Sequence, residues 1–111
     1  MSEFQNFESH VLHLLVAPKL GTDTVDAVVR EGQLVSYNYS GSGYFLTIAH
    51  PILPTTRIVC SEPQVVGRAG NIHSGFIVFI ENGELTLECH TWGEIDVPEN
   101  FRKLSVAVAA T

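Results

Sequence analysis

The sequence predicts a mainly β fold, with α+β as the variant: antiparallel hairpins in a small barrel or two-layer sandwich, with one or two short helices. Three observations carry that expectation. The first is Gly75–Gly93, GFIVFIENGELTLECHTWG, in which two apolar runs flank Asn82-Gly83. Asn-Gly marks a hairpin because both central residues of a type I′ turn need positive φ. The second is Gln33–Ser40 followed by Gly43–Ala49, two alternating runs around a Gly41-Ser42 turn. The third is LSVAVAA near residue 110, which alternates as a strand does.

Taken in order, residues 2–15 place Phe4, Phe7, Val11 and Leu14 near helical spacing, with Pro18 as a stop. His10–Ala17 also reads as a short continuous strand, and the pattern leaves both readings open. Thr22–Gly32 is expected to be a short helix: Thr22 or Asp23 caps it, Asp26 sits in its first turn, and Gly32 ends it. In the first hairpin a two-residue loop pairs Tyr39 with Tyr44, Tyr37 with Leu46 and Val35 with Ile48. His50–Thr56 is a loop, because two prolines within it exclude a central strand. Arg57–Ser61 is a short strand that Glu62-Pro63 interrupts and Gln64–Val66 resumes. Gly67–Ser74, rich in Gly, Asn and Ser, reads as a flexible connection.

Counting outward from Asn82-Gly83 then fixes the register of the central hairpin. Glu81 opposes Glu84, Phe79 opposes Thr86, Ile77 opposes Glu88 and Phe76 opposes Cys89. Side chains alternate across a strand. One face is therefore Phe76, Val78, Ile80, Leu85, Leu87 and Cys89, a core face. The other carries Ile77, Phe79, Glu81, Glu84, Thr86, Glu88, His90 and Trp92. An acidic loop, Gly93–Glu99, follows.

A chain of 111 residues, 45% hydrophobic and only 16% charged, is expected to fold as a single domain (1–111) without staples. No apolar run is long enough to span a bilayer, and Met1–Glu8 has the acids but not the bases of a secretory leader. Cys60 and Cys89 both sit in apolar runs and read as free buried thiols of a cytoplasmic protein. A net charge of −6 opposes nucleic-acid binding. The acidity is local. Between Arg68 and Arg102 there is no Lys or Arg, yet six of the 12 acids lie there.

Candidate chemistry is sparse. His10 and His13 share a helix face, but no acid or cysteine stands at a companion spacing, so no metal or cofactor is expected. Cys89 and His90, adjacent on a strand, point to opposite faces. Neither a nucleophile elbow nor a phosphate-binding loop occurs, and Gly41-Ser42-Gly43 is a turn. The sharper feature is an acidic and aromatic face, with Glu84, Glu88, His90 and Trp92 followed by Glu94 and Asp96. Charge steers a partner and Trp supplies buried area, so these six residues are the candidate contacts for a basic protein. The competing reading makes Ile77, Phe79 and Trp92 core, with the acids as a rim.

The segment from Gly75 to Phe101, an aliphatic strand, Asn-Gly, a second aliphatic strand and an aromatic-Gly-acid step, resembles small bacterial proteins grouped with the immunity proteins of polymorphic toxin systems. The resemblance implies a cytoplasmic, non-catalytic binder that blocks a toxin, many of which are basic nucleases. It implies no particular site residue. Two other classes stay open: a small-molecule-binding or enzymatic β-barrel lined by Tyr37, Tyr39, Tyr44 and a histidine, and a homo-oligomer whose interface is the second face of the central hairpin.

Overall fold

A computed structural model describes residues 2–111. Three helices, α1 (Asn6–Leu15), α2 (Ala17–Leu20) and α3 (Thr22–Glu31), precede six strands. These are β1 (Gln33–Tyr39), β2 (Gly43–Ala49), β3 (Ile58–Ala69), β4 (Ile72–Glu81), β5 (Glu84–Thr91) and β6 (Ala107–Ala110). The strands form one antiparallel sheet in the order β1-β2-β5-β4-β3-β6. The sheet is open, so of the expected architectures the two-layer one holds and the barrel does not. Its second layer is helical, and there are three helices rather than one or two.

The central hairpin has the expected register, from Glu81 opposite Glu84 to Phe76 opposite Cys89. Asn82 (φ 56°) and Gly83 (φ 76°) both adopt the left-handed conformation that a type I′ turn requires. The first hairpin pairs Tyr39 with Tyr44 and Tyr37 with Leu46 as expected, but Leu34, not Val35, faces Ile48. An irregularity between Leu34 and Ser36 shifts the register at this edge, where only one neighbour constrains the strand.

Two further expectations are corrected. Gly67–Ser74 is not a flexible connection. β3 runs on to Ala69, turns at Gly70-Asn71, and pairs with β4 through Gly67–Ser74 and Arg68–His73. Small residues there suit close strand packing, and Gly-Asn is itself a tight-turn signal. The strand around residue 60 is not ended by Glu62-Pro63 either: it arches. Between the pairs Cys60–Val78 and Val65–Phe76 four residues of β3 stand opposite Ile77 alone. Such a bulge lifts the strand off its neighbour and resumes pairing beyond.

The core lies between the sheet and the helices. Tyr44, Leu46, Ile48, Leu85, Leu87, Val78 and Ile80 are buried on the sheet side, and Val11, Leu12, Leu15, Val25 and Val28 face them. The helical reading of residues 2–15 holds over Asn6–Leu15. Phe7 packs against Phe76 and, edge to face, against Phe101, with ring centroids 6.2 and 5.8 Å apart. The chain after β5 dips through buried Val97 and Phe101 into this layer before β6 closes the edge. No helix of the described residues is long and apolar enough to cross a membrane.

A buried polar tie locks the layers together. Glu8, fully buried, accepts two bonds from Arg102 (Nε to Oε2, 2.8 Å; Nη2 to Oε1, 2.9 Å), one from the Tyr44 hydroxyl and one from the Gln5 amide. The last of these caps the first turn of α1. Arg102 also lies over the Tyr37 and Tyr44 rings, and burial beside Glu8 raises the Tyr44 phenol far above its ordinary value.

Candidate functional site

The helices cover one face of the sheet and leave the other bare. Alternation puts Phe45 of β2, Glu84, Thr86, Glu88 and His90 of β5, Ile77, Phe79 and Glu81 of β4, and Val59 of β3 on that open face. Phe45 is 39% exposed, Val59 41% and Trp92 49%. Trp92 is thus a surface residue, and Ile77 and Phe79 are half-buried among neighbours rather than core. The row Thr47–Thr86–Phe79–Val59 crosses four strands, and the row above it runs Phe45–Glu88–Ile77. The middle of this face therefore interleaves apolar side chains (Phe45, Ile77, Phe79, Val59) with Glu88 and two threonines.

Charge on this face is uneven. Glu81 and Glu84 oppose each other directly, a like-charge pairing that disfavours the hairpin slightly. Arg57 answers Glu81 at 3.3 Å and lies 5.8 Å from the Phe79 ring centroid. Glu84 has no such partner among the described residues. Glu88 approaches Nδ1 of His90 at 3.1 Å.

His90 lies flat across β4. A Cβ on Gly75, its cross-strand partner, would overlap His90 Nε2, so only glycine admits the ring in this position. Trp92 stands beside it, with ring centroids 6.3 Å apart, and its amide is held by the His73 carbonyl at 3.0 Å. Opposite them the arch of β3, residues 61–64, rises from the sheet. Arch, Gly75, Ile77, His90 and Trp92 enclose a pocket of about 560 Å³ open to solvent. Glu62 is its acid, and neither Lys nor Arg lines it.

Of the six contact residues expected from the sequence, Glu84, Glu88, His90 and Trp92 share the open face. Glu94 and Asp96 are exposed but stand in a loop that folds toward the helical layer. Thr91 Oγ1 accepts the Val97 amide at 3.1 Å and the Tyr39 hydroxyl donates to the Val97 carbonyl at 2.8 Å. They form a rim at the end of the sheet. Phe45, Val59 and Glu62 belong to the face and were missed, because β2 and β3 reach β5 and β4 through pairings that no local pattern announces. Gly75 carried the one sequence signal for the His90 seat, a glycine inside a strand.

Several of the other titratable groups are committed elsewhere. His13 bonds Ser9 O and Asp26, and His50 accepts the Ile52 amide at Nδ1 while Nε2 meets Glu31 at 3.0 Å. That bond, with Arg30 second, holds the Glu31 carboxyl below its ordinary value. Tyr44 and Tyr37 lie against Arg102, and Tyr39 bonds the Val97 carbonyl. Cys60 and Cys89 are free and buried; burial pushes the Cys89 thiol up to about 12. No group of three His, Cys, Asp or Glu side chains among the described residues is placed to hold a metal. Ser61 lines the pocket with His90, yet no hydrogen bond joins them. No family model, curated protein or solved structure matches the chain.

Proposed function

We propose that this protein is a non-catalytic binding module whose open sheet face receives a basic protein. One observation carries the reading: a sheet covered by helices on one side presents, on the other, exposed Phe45 and Val59 and half-buried Phe79, with Glu88 set among them and Glu84 at their border. Exposed apolar area of this kind marks interaction surfaces, and the acids select the sign of the partner's charge and speed its encounter. The Glu81–Glu84 opposition supports the same view, since it offers the hairpin nothing. The two free thiols suit a reducing compartment, so the cytoplasm is the proposed location. Within that class we favour an immunity protein that neutralises a basic toxin.

The test is capture from a lysate of the source cells at low and high salt, with wild type and a Phe79→Ser, Glu84→Lys variant. The expected result is one basic protein that wild type retains at low salt, that high salt or the variant releases, and whose activity falls when the complex forms. Retention unchanged by the variant, or an empty column with a dimer mass of this chain, overturns the reading.

A further inference from the structure

Resting on that reading, we propose that the pocket between the β3 arch and Trp92 is the specificity subsite of the face, and that it takes one arginine side chain of the partner. Its volume, about 560 Å³, falls within the range of ligand clefts, roughly 300–1,000 Å³. Its chemistry is that of an acceptor. His90 Nδ1 is buried, 3.1 Å from Glu88 Oε2, off the line of a hydrogen bond and without another partner. In the tautomer with its proton on Nδ1, toward that carboxylate, the ring offers Nε2, the atom lying over Gly75, as an acceptor.

Two further groups fit a guanidinium. Glu62 lines the pocket from the arch, and a carboxylate is an acceptor to which a guanidinium donates N–H bonds in pairs. The exposed Trp92 indole supplies a flat wall on which a planar cation stacks. An ammonium would satisfy the charge but not the wall or the paired acceptors, so arginine is favoured over lysine. The nearest cation of the open face by register, Arg68, stands opposite His73 and does not line the pocket. A ligand that binds here touches the part of the face farthest from Glu84, so the subsite and the apolar side chains around Phe79 can be tested apart.

The experiment is an NMR titration of the full chain with Nα-acetyl-arginine amide and, separately, with its neutral isostere Nα-acetyl-citrulline amide. Trp92 is the only tryptophan, so its indole N–H resonance is unambiguous. The arginine amide should move that signal and the His90 ring protons saturably, and citrulline should bind at least tenfold more weakly. Glu62→Gln should weaken the arginine amide at least threefold. Gly75→Ala, which evicts His90, should abolish the response. Trp92→Leu, at an exposed position that leaves the fold intact, should do so for the His90 signals if the alanine variant does not fold. Equal responses to the two amides, or responses that Glu62→Gln and Trp92→Leu leave unchanged, overturn the inference. If they do so while Phe79→Ser, Glu84→Lys still releases the captured protein, the subsite is wrong and the binding face stands. A saturable arginine response without any captured basic protein leaves the subsite and removes the proposed function.

Discussion

Replacing Arg102 by methionine removes the counter-charge of a carboxylate that has no access to water. Glu8 would lose two charge-assisted bonds, at 2.8 and 2.9 Å, and keep only the Tyr44 hydroxyl and the Gln5 amide. Bonds to charged groups contribute about 1.5–3 kcal/mol each, so the two sum to about 3–6 kcal/mol. The Arg102 side chain is 21% exposed, and solvent screening places the expected loss near the lower end, about 3 kcal/mol. For a domain of this size that lowers Tm by roughly 10–15 °C. Urea denaturation of wild type, Arg102→Met, Glu8→Leu and the double variant measures the coupling. The double variant should cost at least 2 kcal/mol less than the two singles added, because it leaves no stranded charge, only the neutral Tyr44 hydroxyl and Gln5 amide. A loss below about 1 kcal/mol for Arg102→Met, the range of a surface ion pair, refutes the reasoning, and so do additive singles.

Trp92→Ala should change the urea midpoint by no more than about 0.5 kcal/mol of stability, since the side chain is half exposed; a loss above 2 kcal/mol would return it to the core. Gly83→Ala, at a φ of 76°, should cost about 1 kcal/mol in the same assay, and no change would mean that the hairpin accepts a different turn. With its thiol pushed up to about 12, Cys89 should resist a disulfide reagent at pH 8 in the folded protein and react only as fast as the fold opens; rapid labelling would contradict its burial. The Glu31 carboxyl should titrate below its ordinary 4.5, and His50→Ala should move it back up. Because the folded value is depressed, the His50–Glu31 contact stabilises above the ordinary carboxylate range and is lost as pH falls through the folded value. Carbon-detected NMR of the glutamate carboxyls reads both.

The parts legible in the sequence were those set by neighbouring residues. Asn82-Gly83 dictates a turn, and from the turn every pair to Phe76–Cys89 follows by counting. The second face of the same hairpin was legible as a list of residues, but not as a surface. Whether Ile77, Phe79 and Trp92 meet water depends on which side the helices take, and that choice is made by Phe7, Val11 and Val28 packing against distant strands. The arch of β3 was hidden because a Glu-Pro step reads locally as an end to pairing, whereas Val65 and Cys60 are each anchored in the core on either side of it. Nothing in the sequence around Glu8 signals that it is buried. Its partner comes from the far end of the sequence, where Arg102 bore no pattern that would single it out.

The separation between those two residues, 94 positions, has a meaning for how the protein is made. A ribosome adding about 5–20 residues per second delivers Arg102 roughly 5–20 s after Glu8. During that interval α1 exists without its counter-charge, and β3 and β4, against which it packs, are incomplete or still in the exit tunnel. Docking α1 onto a half-built sheet would bury that carboxylate without its counter-charge, at the cost argued above for Arg102→Met, so early docking is disfavoured until the turn at Phe101–Lys103 has emerged. A nascent chain stalled before that turn therefore holds its first helix less tightly than the finished protein does.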